Sequence, residues 1–150
     1  MDKNNLPAVL KLAREVIAHN YASFLDKDAV SDFLSSKQCD REIIEHSENC
    51  VVMTVRERVT GFALLVGNTI HALMIARNHQ RKKHGSALLR HIERILSASH
   101  AEITLDSFAR NSAANSFYEK NGWRKAGETQ RDGITLYHYK KSFYAWPPVV

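Results

Sequence analysis

The apolar residues Val9, Leu10, Ala13, Val16, Ile17 and Tyr21 recur at helical spacing between Leu6 and Tyr21. Asn5 stands where an N-cap would, and Pro7 falls in the first turn, so an amphipathic helix is predicted there. Asp26 ahead of Ala29, Val30, Phe33 and Leu34 predicts a second, short helix. Asp40 ahead of Ile43 and Ile44 predicts a third, ending near Asn49. The pattern then changes character. Cys50 to Arg56, Val59 to Val66 and Thr69 to Ala76 are β-branched and apolar, separated by Arg56-Glu57-Arg58 and by Gly67-Asn68. Three such runs joined by tight turns predict an antiparallel meander.

Helical period returns at Leu88, Leu89, Ile92, Ile95 and Leu96, from just beyond Gly85 to near His100. The strand Glu102-Ile103-Thr104-Leu105-Asp106 follows, and the intervening helix predicts that it lies parallel to 69–76. Asn111 is placed to cap a helix from Ser112 to Lys120, which Asn121-Gly122 terminates. Trp123 to Glu128 and Ile134 to Ser142 predict two last strands around Arg131-Asp132-Gly133. No repeat or linker interrupts the series. The expected fold class is therefore α+β over residues 1–150 as one domain: a single mixed, mostly antiparallel sheet with helices on both faces.

Composition adds little to this and excludes several classes. The chain is 44% hydrophobic and 25% charged, and its longest apolar run, Gly61 to Gly67, is far short of the ~20 residues of a membrane span. Met1 to Asn5 is polar and carries no leader pattern. Cys39 and Cys50 are the only cysteines, with no CxxC and no His/Cys pairing at zinc spacing, so no disulfide framework and no metal are expected, and the cytoplasm is the expected compartment.

The net charge of +5 is concentrated. Arg77, Arg81, Lys82, Lys83, Arg90 and Arg94 face only Glu93 within the same stretch. Taken alone, such a run reads as a solvated loop. Here it follows an apolar strand and opens an amphipathic helix, whose N-terminal N–H groups and dipole suit a pyrophosphate. Neither GxxxxGK nor GxGxxG occurs in it.

The segment Ile75-Ala76-Arg77-Asn78-His79-Gln80-Arg81-Lys82-Lys83-His84-Gly85-Ser86-Ala87-Leu88-Leu89 resembles the acyl-CoA loop of the GNAT superfamily of N-acyltransferases. That pattern is Gln or Arg, two residues, Gly, one residue, Gly or Ala. Gln80 and Gly85 match, and Lys83 stands where the first glycine would be. A second segment, Asn111-Ser112-Ala113-Ala114-Asn115-Ser116-Phe117-Tyr118-Glu119-Lys120-Asn121-Gly122-Trp123, is similar to the family's Asn, Ala, Phe-Tyr-Glu-Lys, Gly-aromatic element. The resemblance covers residues 50–142 well and the N-terminal helices loosely. The family usually opens with a strand before its first helix, and here only a few residues precede Asn5. The sheet is therefore expected to be one strand short, or to have an edge covered by a partner or by the tail Trp146-Pro147-Pro148-Val149-Val150.

The resemblance implies acetyl transfer from acetyl-CoA to a primary amine, on a small molecule or a protein N-terminus or lysine, by direct attack without a covalent enzyme intermediate. By position it assigns the pantetheine arm to the backbone of Leu73, Met74 and Ile75. It assigns the pyrophosphate to the amides of Arg81, Lys82, Lys83, His84, Gly85 and Ser86, in the loop that Gln80 opens. Asn111 either bonds the pantetheine arm or simply caps its helix. Tyr118 is the expected donor to the leaving thiolate, against a plain core role beside Phe117.

No Glu lies on the 69–76 strand, so His71, which strand alternation places with Leu73 and Ile75, is the expected base. Asp106 or Glu102 on the next strand are alternatives, as is alignment of the reactants with no base at all. Asp26, Asp28 and Asp32 would either greet a polyamine or mark a helix start. The family's habit points to a homodimer. A non-catalytic acyl-CoA-binding domain is the alternative that Lys83 raises. Nucleic acid is disfavoured, since no aromatic residues interleave the basic run.

Overall fold

The computed structural model describes residues 1–143, so the 146–150 tail lies outside the described residues. Helix α1 runs Leu6–Asn20, α2 Lys27–Ser36 and α3 Gln38–Glu45. Asp26 caps α2 by accepting a bond from the Ala29 N–H at 2.7 Å. Asn5 makes no side-chain cap to α1; Asp2 instead caps a 3₁₀ turn, Lys3–Asn5, that leads into the helix. Asp40 is no cap either. Lys37 takes a left-handed φ of 56° that breaks α2 from α3 within one residue, so α3 begins at Gln38 and Asp40 falls inside its first turn. The Asp40 carboxylate is instead paired with Arg14 of α1, whose Nε lies 3.2 Å from Oδ1.

Strands β1 (Cys50–Val55), β2 (Arg58–Val66) and β3 (Thr69–Ile75) form the expected meander. They are followed by α4 (His84–Ser97), β4 (Glu102–Phe108), α5 (Ser112–Lys120), β5 (Arg124–Arg131) and β6 (Ile134–Ser142). The described residues make one six-stranded sheet in the order β1-β2-β3-β4-β6-β5. All its pairings are antiparallel except β3–β4, which is parallel. Residues 1–49 hold helices and turns only, as expected, which leaves β1 as one edge of the sheet.

Two apolar clusters cover the sheet's two faces. Val9, Ala13, Val16 and Ile17 of α1 pack on Phe62, Leu64 and Met74, while Leu88, Leu89, Ile92 and Leu96 of α4 pack on Ala63, Ile103, Leu105 and Tyr139. This explains why the Thr60–Leu65 run of β2 is continuously buried: both of its faces are covered. Each such side chain contributes about 1.5–3 kcal/mol on burial. The α4 layer is also tied by a buried carboxylate. Glu93 accepts bonds from Trp123 Nε1 at 3.1 Å and from Lys141 Nζ at 3.0 Å, and Lys141 in turn donates to the Asn121 carbonyl at 2.8 Å. That network fastens the end of α5 and strand β6 to α4.

The feature that shapes the site is how short the β3–β4 pairing is. Only Thr69↔Thr104 and Ile70↔Leu105 are in register, reinforced by the two threonine hydroxyls 2.9 Å apart and by Asn68 Nδ2 donating to the Glu102 carbonyl at 3.0 Å. Beyond Ile70 the two strands part, while β4 stays fully paired with β6 as far as Phe108.

Candidate functional site

The parted strands open a cleft of about 910 Å³. One wall is β3 from His71 to Ile75, and the other is β4 from Leu105 to Phe108. Asn111, Phe117 and Tyr118 of the α5 segment, the loop ahead of α4, and the Tyr21, Cys39 and Glu42 side of the helical layer complete it.

The β3 wall offers backbone. The Ala76 N–H bonds the Thr60 carbonyl of β2, and the Met74 carbonyl lies close against Gly61 of β2. Since successive peptide groups alternate sides along a strand, Leu73 and Ile75 turn theirs toward the cleft, where β4 has withdrawn. The Ile75 carbonyl is already engaged by Gln80 Nε2 at 2.9 Å. Met74 faces its peptide groups to β2 and lends the cleft only its surface, so of the three expected backbone contacts Leu73 is the one with both groups open.

The loop offers amides. Arg81 and Lys83 have φ of 62° and 65°, with Lys82 between them outside the left-handed region. Such alternation curls successive N–H groups into a concave anion-binding nest, at the N-terminus of α4. Lys83 adopts the backbone conformation that a glycine would, at about 1–2 kcal/mol for an L-residue, with its side chain exposed. Gln80 braces the loop with its side chain, donating to Ile75 and accepting from Asn20 Nδ2 at 3.3 Å. Gly85 has a second reason to lack a side chain: a Cβ there would lie 3.3 Å from the Phe117 ring and 3.8 Å from Ile75. It therefore joins the loop to α5. Lys82 and His84 do not line the cleft. Lys82 is exposed, and His84 packs edge-on against His79 with a ring separation of 5.2 Å, its buried Nδ1 without a partner among the described residues.

Asn111 caps α5, accepting from the Ala114 N–H at 3.2 Å, and also lines the cleft. Tyr118 is buried on Phe117, Trp123 and Tyr139, with ring separations of 5.2, 6.0 and 6.0 Å. Burial, then the nearby Tyr21 phenol, pushes its own phenol well above the ordinary tyrosine range, so it stays protonated. Tyr21, read from the sequence only as part of a helix stripe, belongs to the same cleft, and burial pushes its phenol up to about 12.

His71 is not placed as alternation predicts. Leu64 pairs with Ala72 and Leu65 with Ile70, so His71 is the extra residue of a β-bulge. The bulge turns it away from the face of Leu73 and Ile75 and toward α3, where its Nε2 lies 2.9 Å from Glu42 Oε2. Glu42 is a site residue that no local signal in the sequence announces. Of the alternative bases, Glu102 stands outside the cleft beside Lys140 at 3.7 Å. Asp106 lines it and lies 2.5 Å from His138 Nδ1, while His138 Nε2 is held by Thr129. None of Asp26, Asp28 and Asp32 lines it: Asp26 is spent on the α2 cap, and Asp28 lies in that helix's first turn. No helix of the described residues is long and apolar enough to cross a membrane.

Comparison with known proteins agrees with this fold. A family model described as the acetyltransferase (GNAT) domain matches residues 15–143. Among solved structures, PaiA N-acetyltransferase from Thermoplasma acidophilum in complex with coenzyme A is similar at 22% identity and a TM-score of 0.74, over 93% of this chain and 94% of that one. A GCN5-related N-acetyltransferase from Rhodopseudomonas palustris aligns at 16% identity and a TM-score of 0.83, over 95% and 92%. The apo form of YjaB from Escherichia coli aligns at 20% and 0.74, over 91% and 90%. No curated protein sequence matches significantly.

Proposed function

The chain belongs to the GNAT acetyltransferase family, and from that premise we propose that it transfers the acetyl group of acetyl-CoA to a primary amine, on a small molecule or a protein, in the cytoplasm. The observation that carries this reading is the open β3 edge at Leu73 running into the Arg81–Ser86 nest. An extended amide-bearing arm can add to the former as a strand would, and a pyrophosphate can fill the latter. Arg81 and Lys83, with Arg77 and Arg90 close in sequence, add charge for further phosphates. The Asn111 amide nitrogen, left over from the cap, is a donor for the arm. That PaiA of similar fold was solved with coenzyme A supports the same assignment.

The chemistry divides among three groups. His71 takes a proton from the ammonium of the acceptor, freeing the nitrogen lone pair to attack the thioester carbonyl. A β3 backbone N–H, best placed at Leu73, stabilises the oxyanion that forms. As the C–S bond breaks, Tyr118 gives its proton to the departing thiolate, and the proton lost from the new amide restores the phenol through solvent. Cys39 also lines the cleft, but burial, then Glu42 and Asp40, pushes its thiol up to about 11. A thiol so held is a poor nucleophile at neutral pH, which supports direct attack without an acyl-enzyme.

The non-catalytic alternative drew on Lys83. Its glycine-like backbone and exposed side chain leave the nest intact, so that residue does not favour it. Thiol release from acetyl-CoA in the presence of propylamine tests the proposal: release that depends on the amine is expected, and acetyl-CoA binding without release would select the alternative.

A further inference from the structure

Two carboxylate–histidine pairs border the cleft, and they differ in one respect. His138 has both ring nitrogens engaged, Nδ1 by Asp106 and Nε2 by Thr129. His71 has one engaged, Nε2 by Glu42, and no protein partner on Nδ1 among the described residues. Only the second pair keeps a ring nitrogen available for proton transfer.

We propose that Glu42 is a positioning residue that fixes His71 in the Nε2–H tautomer, making Nδ1 the atom that accepts the proton of the amine. This rests on the transferase reading above and adds to it the atom and its orienting partner. An ionised carboxylate only accepts hydrogen bonds, so the 2.9 Å contact requires His71 Nε2 to carry the hydrogen, and the neutral ring's lone pair then lies on Nδ1. Glu42 is itself held: its other oxygen accepts from Gln38 Nε2 at 3.2 Å, one turn earlier on α3. The neighbouring Ile43 is fully buried and anchors α3 in the core. The β3 bulge completes the arrangement, since regular alternation would have turned His71 away from α3. When Nδ1 takes one proton from R–NH₃⁺, the ring's Nε2–H still faces the carboxylate, so the ring keeps its orientation through the transfer. The proton leaves to solvent after the product departs. His46 also lies beside the pair, its ring 6.5 Å from that of His71. Cys39 borders the same part of the cleft as a thiol.

Two measurements on the full chain test this. Imidazole ¹⁵N–¹H correlation spectra should show wild-type His71 as the Nε2–H tautomer, with Glu42→Ala giving a mixture. With acetyl-CoA and propylamine, His71→Asn should lower kcat about 100-fold and Glu42→Ala about 10-fold, with the KM for acetyl-CoA unchanged in both. Glu42→Gln, which keeps an acceptor oxygen, should restore part of the loss. The double variant should be no slower than His71→Asn, because Glu42 acts only through the ring. A wild-type His71 in the Nδ1–H tautomer, or losses that multiply in the double variant, would overturn the proposal. Absence of thiol release from the wild-type chain would instead count against the transferase reading, and the tautomer measurement separates the two failures.

Discussion

The two sides of the cleft are made of different material. Along the Leu73 edge and the Arg81–Ser86 loop the surface on offer is backbone: peptide groups that β4 leaves unpaired and amides curled at the start of α4. Toward α3 it is side chains, with Cys39 and Glu42 of α3 set against His71 of β3. A backbone site tolerates changes of side chain so long as its φ, ψ and spacing survive. A side-chain site is lost with one residue. The first arrangement suits the backbone-reading of an extended amide-bearing arm and a pyrophosphate, and the second suits an acceptor recognised by particular side chains.

Substitutions on the two sides should differ in effect accordingly. A loss on the scale of that expected for His71→Asn is expected at Tyr118, the proposed donor to the departing thiolate: Tyr118→Phe should lower kcat about 100-fold, with acetyl-CoA affinity and Tm little changed, as steady-state kinetics and calorimetry would report. Next is Gly85→Ala. Its Cβ would press on the Phe117 ring at 3.3 Å, so that ring, which packs α5 against the loop, must give by a few tenths of an ångström. A stability loss of about 1–2 kcal/mol and weaker acetyl-CoA binding are expected, read by denaturant titration and by Kd. The smallest effect is expected at Lys83→Gly, where the left-handed backbone is already in place. Relief of strain and added chain entropy nearly offset, so stability should change by less than about 1 kcal/mol and Kd only by the loss of one exposed charge.

The same contrast explains what was legible in the sequence. Helix and strand periodicities announced most of the helices and strands because they bury a face against a core layer, whereas β5, exposed along nearly its whole length, was marked by the turn that follows it. The loop and the α5 segment were legible because a backbone site needs particular residues at fixed spacing: Gln80 to latch the strand end, Gly85 to clear Phe117, Asn111 to cap. The α3 side was not. Glu42 and His71 are 29 positions apart and meet only through tertiary packing. The bulge that turns His71 has no glycine or proline to mark it. Asp40 looked like a cap because short polar residues ahead of apolar ones commonly are, but its carboxylate is spent on Arg14. The Arg56-Glu57 turn was readable only from its flanks, since both residues adopt left-handed φ without a glycine.

Acetyl-CoA is proposed to enter the cleft between β3 and β4 along Leu73 and against the 81–86 amides. Backbone amide chemical-shift mapping of the full chain during an acetyl-CoA titration tests it most directly. The largest shifts are expected at Leu73 and from Arg81 to Ser86, with smaller ones at Asn111 and Tyr118. Saturable binding that leaves those amides unmoved and shifts residues elsewhere would contradict it.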